Sequence, residues 1–157
     1  MKIKRKLVSA PMGWSEYYLR IADQVSKRSK DPNTKVGAII VAAEGTSFSI
    51  GYNGFPRGVR DYEDRWKRPL KYTYVTHAEK NAILNSDLKT VRNSPDSCIY
   101  ITHYPCSSCV KDIIQAGIKR IVTGGKEFNS SSEMDRNIVS EMLKEANISY
   151  QIIPNVL

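Results

Sequence analysis

Apolar and polar positions divide the chain into segments of two periods. Trp14, Tyr18, Ile21, Ala22 and Val25 recur at helical spacing. They predict a first helix that stops before Asp31-Pro32, because proline restricts the residue ahead of it. "KVGAIIVAAEG" and "SFSIGYNG" read as two strands of a hairpin, with Ala43 to Thr46 near the turn. Residues 51–76 follow neither period. They hold Gly51, Gly54, Gly58, two prolines, aromatics and six basic side chains between Arg57 and Lys71. Irregular loops of that length are uncommon and often functional. Beyond them the pattern alternates, starting with a helix from about 77 to 86 and the strand "SCIYITH". The helix "CSSCVKDIIQAGIK" is stopped by Gly117, and the strand "RIVTGG" follows. A helix with Met134, Ile138, Val139, Met142 and Leu143 as its apolar positions then leads to a last strand, "ISYQII".

A β-hairpin followed by β-α-β-α-β predicts an α/β fold, a mixed sheet with helices on both faces. Chemistry in such folds collects where strands hand over to helix N-termini. No repeat, low-complexity tract or linker interrupts the pattern, so one domain over residues 1–157 is expected.

Composition narrows the class without naming a function. A chain of 157 residues with 41% hydrophobic content suits one packed core. No apolar run approaches the ~18 residues of a membrane span. "MKIKRKLVSAPMG" is basic, but its apolar stretch is too short and broken for a secretory leader. Three cysteines cannot form a closed disulfide set, and two of them lie in a Cys-x-x-Cys. A cytoplasmic protein with reduced thiols is expected. The net charge of +8 fits an anionic partner, either a nucleotide phosphate or a polynucleotide, and it equally fits a solvated basic surface.

Two short motifs carry the candidate chemistry. In "PCSSC" (105–109), Pro105 suits a first helical turn, and Cys106 and Cys109 fall on one face of that helix start. The helix N-terminus favours the thiolate form. Alone, the pair could be a metal site, a redox couple or two inert thiols. In "THAE" (76–79), Thr76 and Glu79 have the spacing of a capping box, which would leave His77 an ordinary surface histidine. Together the motifs offer one imidazole and two thiolates, a set that zinc takes. The unused candidates for a fourth ligand, Cys98 and His103, are an odd number of residues apart on a strand and so face opposite ways. A three-ligand site with an open position is the catalytic arrangement, and Glu79 beside it becomes a proton carrier. The order H-x-E…P-C-x-x-C is the signature of zinc nucleobase deaminases. There zinc lowers the pKa of water to about 7 for attack on the carbon bearing the exocyclic amine.

Over nearly its whole length the chain resembles the deoxycytidylate (dCMP) deaminases. The resemblance is carried by "RSKDPNTKVGAIIV" (28–41), "GYNGFPRGV" (51–59), "KYTYVTHAEKNAI" (71–83) and "YPCSSCVKDIIQAGIKRI" (104–121). The metal motif is shared by all cytidine-type deaminases, whereas "SKDP…VGA" and the glycine loop are specific to this branch. The resemblance implies a three-layer α/β/α cytidine-deaminase-like fold with a five-stranded mixed sheet, and a homohexamer. It implies hydrolysis of dCMP, or of a 5-substituted dCMP, to dUMP and ammonia, supplying dUMP for dTTP synthesis. One Zn2+ per chain is expected on His77, Cys106 and Cys109, with Glu79 catalytic. Asn53 is expected to hold sugar and base, with the Ala78 amide and Tyr104 carbonyl facing the pyrimidine edge. Regulation by dCTP and dTTP, with Mg2+ accompanying the regulatory nucleotide, would draw on Ser29, Lys30, Asp31 and Gly54.

For the 5′-phosphate the expected cations are Arg57 and Lys71, from a loop that also holds Arg60, Arg65, Lys67 and Arg68, together with Lys126. Relatives tend to carry an aromatic and histidine-bearing segment where this chain has "GGKEFNSSSEM" (124–134). Lys126 and Ser130 to Ser132 there could hold phosphate at a helix N-terminus, while Ser130 and Glu133 also have capping-box spacing. A tRNA or single-strand editing deaminase shares the zinc motif, and a non-catalytic zinc module would need four protein ligands. Because the 51–59 loop resembles the mononucleotide branch, a nucleic-acid partner is not expected, and without a long apolar run neither is a membrane.

Overall fold

The computed structural model describes residues 9–126 and 132–157. A five-stranded sheet runs in the order β2-β1-β3-β4-β5, built from β1 (Gly37–Ala42), β2 (Ser47–Tyr52), β3 (Cys98–His103), β4 (Arg120–Lys126) and β5 (Ser149–Ile152). β1 runs antiparallel to both β2 and β3, while β3, β4 and β5 are parallel. The sheet is therefore mixed, as the pattern predicts. α1 (Trp14–Ser26) covers one face, where Leu19 and Ala22 pack on Ile39, Val41, Tyr100 and Val122. α3 (Ala78–Leu84), α5 (Ser107–Ala116) and α6 (Glu133–Glu145) bury the other face around Ile40, Ile99, Ile101 and Ile121. β1 and β3 are buried at every position because helices cover both of their sides.

Two glycines set how closely the helices approach. A Cβ at Gly37 would lie 2.0 Å from the Ala22 carbonyl oxygen, and one at Gly51 would lie 2.2 Å from that of Ala78. Gly51 thus lets the first turn of α3 rest directly on β2. Asn81 and Asn85 then donate side-chain N–H groups to the carbonyls of Tyr52 and Ile50, at 2.8 and 2.9 Å. Edge groups of the sheet that would otherwise face solvent hold the helix instead.

Several elements differ from the sequence expectation. α1 ends at Ser26, and single turns carry the chain on from Lys27 to Ser29. Trp14 is exposed and stacks on Tyr18, whereas Leu19, outside the predicted stripe, is fully buried. The 51–76 stretch is not wholly irregular. It contains a 3-10 turn at Glu63–Trp66 and the short helix α2 (Lys71–Tyr74). α4 (Leu88–Asn93), capped by Asp87, is too short to leave a helical period. In α6, Met134 and Ile138 face solvent while Val139 and Leu143 reach the core. The cap of α6 is Ser132, which accepts the Asp135 N–H at 3.1 Å; Ser130 lies outside the described residues. No described helix is long and apolar enough to cross a membrane.

Candidate metal centre and its cavity

Two helix starts meet behind the sheet edge. His77 is the N-cap residue of α3 and Cys106 that of α5, both with extended backbone. The chain entering α3 is fixed by an isolated bridge in which Thr76 N–H donates to Gly54 O at 2.8 Å and Gly54 N–H returns a bond to Thr76 O at 3.1 Å. With the Thr76 N–H spent there and no side-chain cap on α3, the Thr76–Glu79 capping box does not form.

His77, Cys106 and Cys109 bring one donor atom each to within 4.8 Å of one another. His77 Nδ1 is 3.2 Å from Cys109 Sγ and 3.7 Å from Cys106 Sγ. Tetrahedral zinc, with bonds of about 2.0–2.1 Å to nitrogen and 2.3 Å to sulfur, separates these atoms by about 3.6 Å. The donor set and its spacing therefore fit zinc. The Cys106 thiol is lowered to about 4, first because the Cys109 thiol donates to it and then through His77. Cys109 is pushed upward because it holds that shared proton and is buried. His77 is raised by its bond to Cys106, against the effect of burial. A bound cation takes the place of such a proton.

Glu79, one residue beyond Ala78, is only 2% exposed. Burial raises its carboxyl group above the ordinary glutamate range, and the charge of His77 partly opposes this. A buried carboxyl beside the cluster and facing the cavity is placed to accept and return a proton, as a general acid–base group must.

A cavity of about 370 Å³ opens on these groups. Its far wall is a buried polar network. Asp31 Oδ2 pairs with Lys71 Nζ at 2.5 Å and accepts from Asn53 Nδ2 at 3.0 Å. Asp31 Oδ1 takes the N–H groups of Asn33 and Thr34. Asn53 Nδ2 also donates to Thr34 O, and its Oδ1 accepts the Val36 N–H at 2.8 Å. Ser29 Oγ closes the network on the Asn53 carbonyl at 2.7 Å.

The expected site residues divide accordingly. Asn53, Lys71, His77, Ala78, Glu79, Cys106 and Asp31 all line the cavity, and Ser29 and Gly54 brace the strand end that carries Asn53. Lys30 is exposed and pairs with Asp61 at 2.6 Å. Arg57 bonds Asn85 on the surface. Arg60 donates to Tyr62, and Arg65 lies against the rings of Tyr62 and Tyr74. Tyr104 is half-buried and edge-on to Tyr150. The Lys126 backbone ends β4 opposite His103, and its side chain lies outside the described part. Of the six basic loop residues, only Arg68 and Lys71 reach the cavity. Ser132, from the serine run, lines the cavity as well, together with Tyr72 and Asp135, which no motif singles out. Asp135 also accepts the Ser107 N–H at 3.2 Å, tying α6 to the start of α5.

A mixed sheet between helix layers, with a His-Cys-Cys cluster at two helix starts beside a buried glutamate, defines a zinc-dependent deaminase domain. The family model for the cytidine and deoxycytidylate deaminase zinc-binding region matches residues 12–125, and the chain belongs to that family. The deoxycytidylate deaminase of Pongo abelii is 41% identical over 126 residues, covering 76% of this chain and 69% of its own length. The apo crystal structure of dCMP deaminase from the cyanophage S-TIM5 superposes with a TM-score of 0.66 at 28% identity, covering 88% of this chain and 96% of the phage chain. The same enzyme in complex with dCMP and dUMP gives a TM-score of 0.64 at 28% identity, covering 88% and 95%.

Proposed function

We propose that this chain hydrolyses dCMP to dUMP and ammonia. The observation that carries the reading is the convergence of His77, Cys106 and Cys109 beside buried Glu79, in a cavity whose other wall carries Asn53 and Arg68. The names of the Pongo abelii and phage relatives supply the substrate. His77, Cys106 and Cys109 are the ligand set, and zinc held there supplies Lewis acidity that brings the pKa of water to about 7. Glu79 accepts one proton of the attacking water and delivers it to the ring nitrogen, then takes the remaining hydroxyl proton of the tetrahedral adduct and delivers it to the amine, which leaves as ammonia while the carbonyl forms. Ala78 and Asn53 border the base and sugar, with Tyr104 next to Pro105 completing that edge. Glu79 is buried in the fold yet lines the cavity, where it meets the attacking water.

Arg68 is the cation that meets the 5′-phosphate. Arg57 is engaged on the surface, and the charge of Lys71 is committed to Asp31. One charge-assisted hydrogen bond is worth roughly 1.5–3 kcal/mol, or about 10- to 150-fold in kcat/KM. The finer properties belong to the same reading. All of 1–157 forms one domain, supported by β5 completing the sheet that the family match begins. The protein is a cytoplasmic homohexamer, supported by its free thiols and by the exposed Phe48, Ile50 and Tyr52 on edge strand β2. Regulation by dCTP and dTTP with Mg2+ rests on the "SKDP" resemblance, with Lys30 at the surface end of that loop.

The test is ammonia release from deoxycytidine, dCMP, 5-methyl-dCMP, CMP and dCTP at equal concentration and fixed salt. The highest kcat/KM is expected for dCMP. Equal values for dCMP and deoxycytidine would move the protein to the nucleoside deaminases.

A further inference from the structure

The far wall of the cavity contains a fully buried charge pair that the chemistry at the metal centre does not use. Asp31 is 0% exposed and Lys71 is 5% exposed. Charges so placed persist only when paired and hydrogen-bonded. Four donors satisfy the Asp31 carboxylate: the N–H groups of Asn33 and Thr34 on one oxygen, and Asn53 Nδ2 and Lys71 Nζ on the other. The three segments joined here are the 29–34 loop, the end of β2 and the start of α2. α2 leads within six residues (77 − 71) to His77.

The consequence falls on Asn53. Both of its side-chain N–H groups are spent, on Asp31 Oδ2 and on Thr34 O, and Oδ1 already takes the Val36 N–H. A carboxamide has two donors and two acceptor lone pairs. Among the described residues, the second lone pair of Oδ1 is the one hydrogen-bonding position of this carboxamide left without a partner. Rotation of the amide by half a turn would face its NH2 to the Val36 N–H and its oxygen to the Asp31 carboxylate. Two like dipoles would then oppose each other in a buried site, so the orientation is fixed.

We propose that Asp31 and Lys71 are positioning residues that make Asn53 an obligatory hydrogen-bond acceptor, so that this wall reads a donor group on the substrate. The donor is a sugar hydroxyl or the pyrimidine amine. Asp31 and Lys71 are bonded to each other and act through Asn53, and a contact made alike before and during reaction appears in KM more than in kcat. The inference rests on the dCMP deaminase reading, which ammonia release from dCMP by the unaltered enzyme checks separately. If the unaltered protein does not turn dCMP over, that reading fails. If it does, the variants below decide this inference alone.

The experiment compares the unaltered enzyme with the Asp31→Asn/Lys71→Met double variant, which removes both charges together and strands neither. Zinc content and KM and kcat for dCMP are the readouts. The double variant is expected to keep one zinc per chain and a kcat within about threefold, with KM raised about 3- to 10-fold, the worth of one neutral hydrogen bond. Lys71→Arg, which keeps the pair, should return KM to within about twofold of the unaltered value. If the double variant does not fold, Lys71→Gln takes its place, because it still donates to Asp31 without the charge. Unchanged KM, or loss of zinc from the double variant, overturns the proposal and leaves the pair a brace. 2′,3′-Dideoxycytidine 5′-monophosphate separates the two donors. If the donor is the hydroxyl, KM for this analogue is already raised in the unaltered enzyme and the double variant adds nothing; if it is the amine, the variant's full penalty persists.

Discussion

On one wall of the cavity, His77, Cys106 and Cys109 sit at two helix starts, each within one turn of a cap; on the other, Asp31, Asn53 and Lys71 arrive from a loop, a strand end and a short helix. The metal wall is assembled from local rules. Pro105 and the extended N-caps start the helices, and Cys106 and Cys109 share a face because they are three residues apart. The opposite wall is assembled only by the tertiary fold, since 40 residues separate Asp31 from Lys71 (71 − 31) and the pair has meaning only once both are buried. Side chains that look alike in sequence therefore have opposite duties. Lys71 neutralises a buried carboxylate, Arg68 lines the cavity with its guanidinium over the Tyr72 ring, and Arg57 bonds a surface asparagine.

The contrast can be broken first at the metal wall, where the largest effects are expected. Cys109→Ser should reduce zinc from one per chain to an undetectable level and abolish ammonia release, because a hydroxyl is a far poorer zinc ligand than a thiolate. Metal analysis of the purified variant checks this, and retention of full zinc would remove Cys109 from the ligand set. Next in size, Glu79→Gln should keep the fold and the zinc while kcat falls about 10²- to 10⁴-fold, the usual contribution of a general acid–base group. Steady-state ammonia release together with metal content separates that outcome from simple loss of the centre.

The far wall should give smaller effects that depend on substrate. Arg68→Ala is expected to lower kcat/KM for dCMP by about 10- to 150-fold and to leave deoxycytidine nearly unaffected, as loss of a phosphate contact requires. A parallel loss on the nucleoside would show that Arg68 supports the cavity and not the phosphate. Smallest of all, Arg57→Ala should change kcat/KM by less than about twofold, since its exposed side chain bonds Asn85 outside the cavity lining and carries little stability. A drop comparable to that of Arg68→Ala would return Arg57 to the site.

How much could be read from the sequence follows the same division. The sheet, its mixed character and four of the helices were legible because apolar periods of two and 3.6 residues run through them. α4 and the turns within 51–76 were not, being too short to show a period. Trp14 misled because a large apolar side chain on α1 stacks on Tyr18 at the surface, while Leu19 fills the core. The His77–Glu79 and Cys106–Cys109 spacings placed four residues in one site, since each spacing is decided within a single helical turn. The choice of Arg68 from six basic residues carries no local signal. It depends on α2 turning Lys71 inward to Asp31 and on Arg65 lying between Tyr62 and Tyr74. Asp135 likewise enters the site only because α6 packs its first turn against α5.

Deamination of dCMP is expected to require zinc on His77, Cys106 and Cys109, with Glu79 as proton carrier. The most direct test is to strip the purified protein of metal with a chelator, confirm the fold by circular dichroism, and titrate zinc back while following ammonia release from dCMP. No turnover is expected in the stripped protein, with recovery that saturates at about one zinc per chain. Full dCMP turnover by the folded, metal-free protein would contradict it.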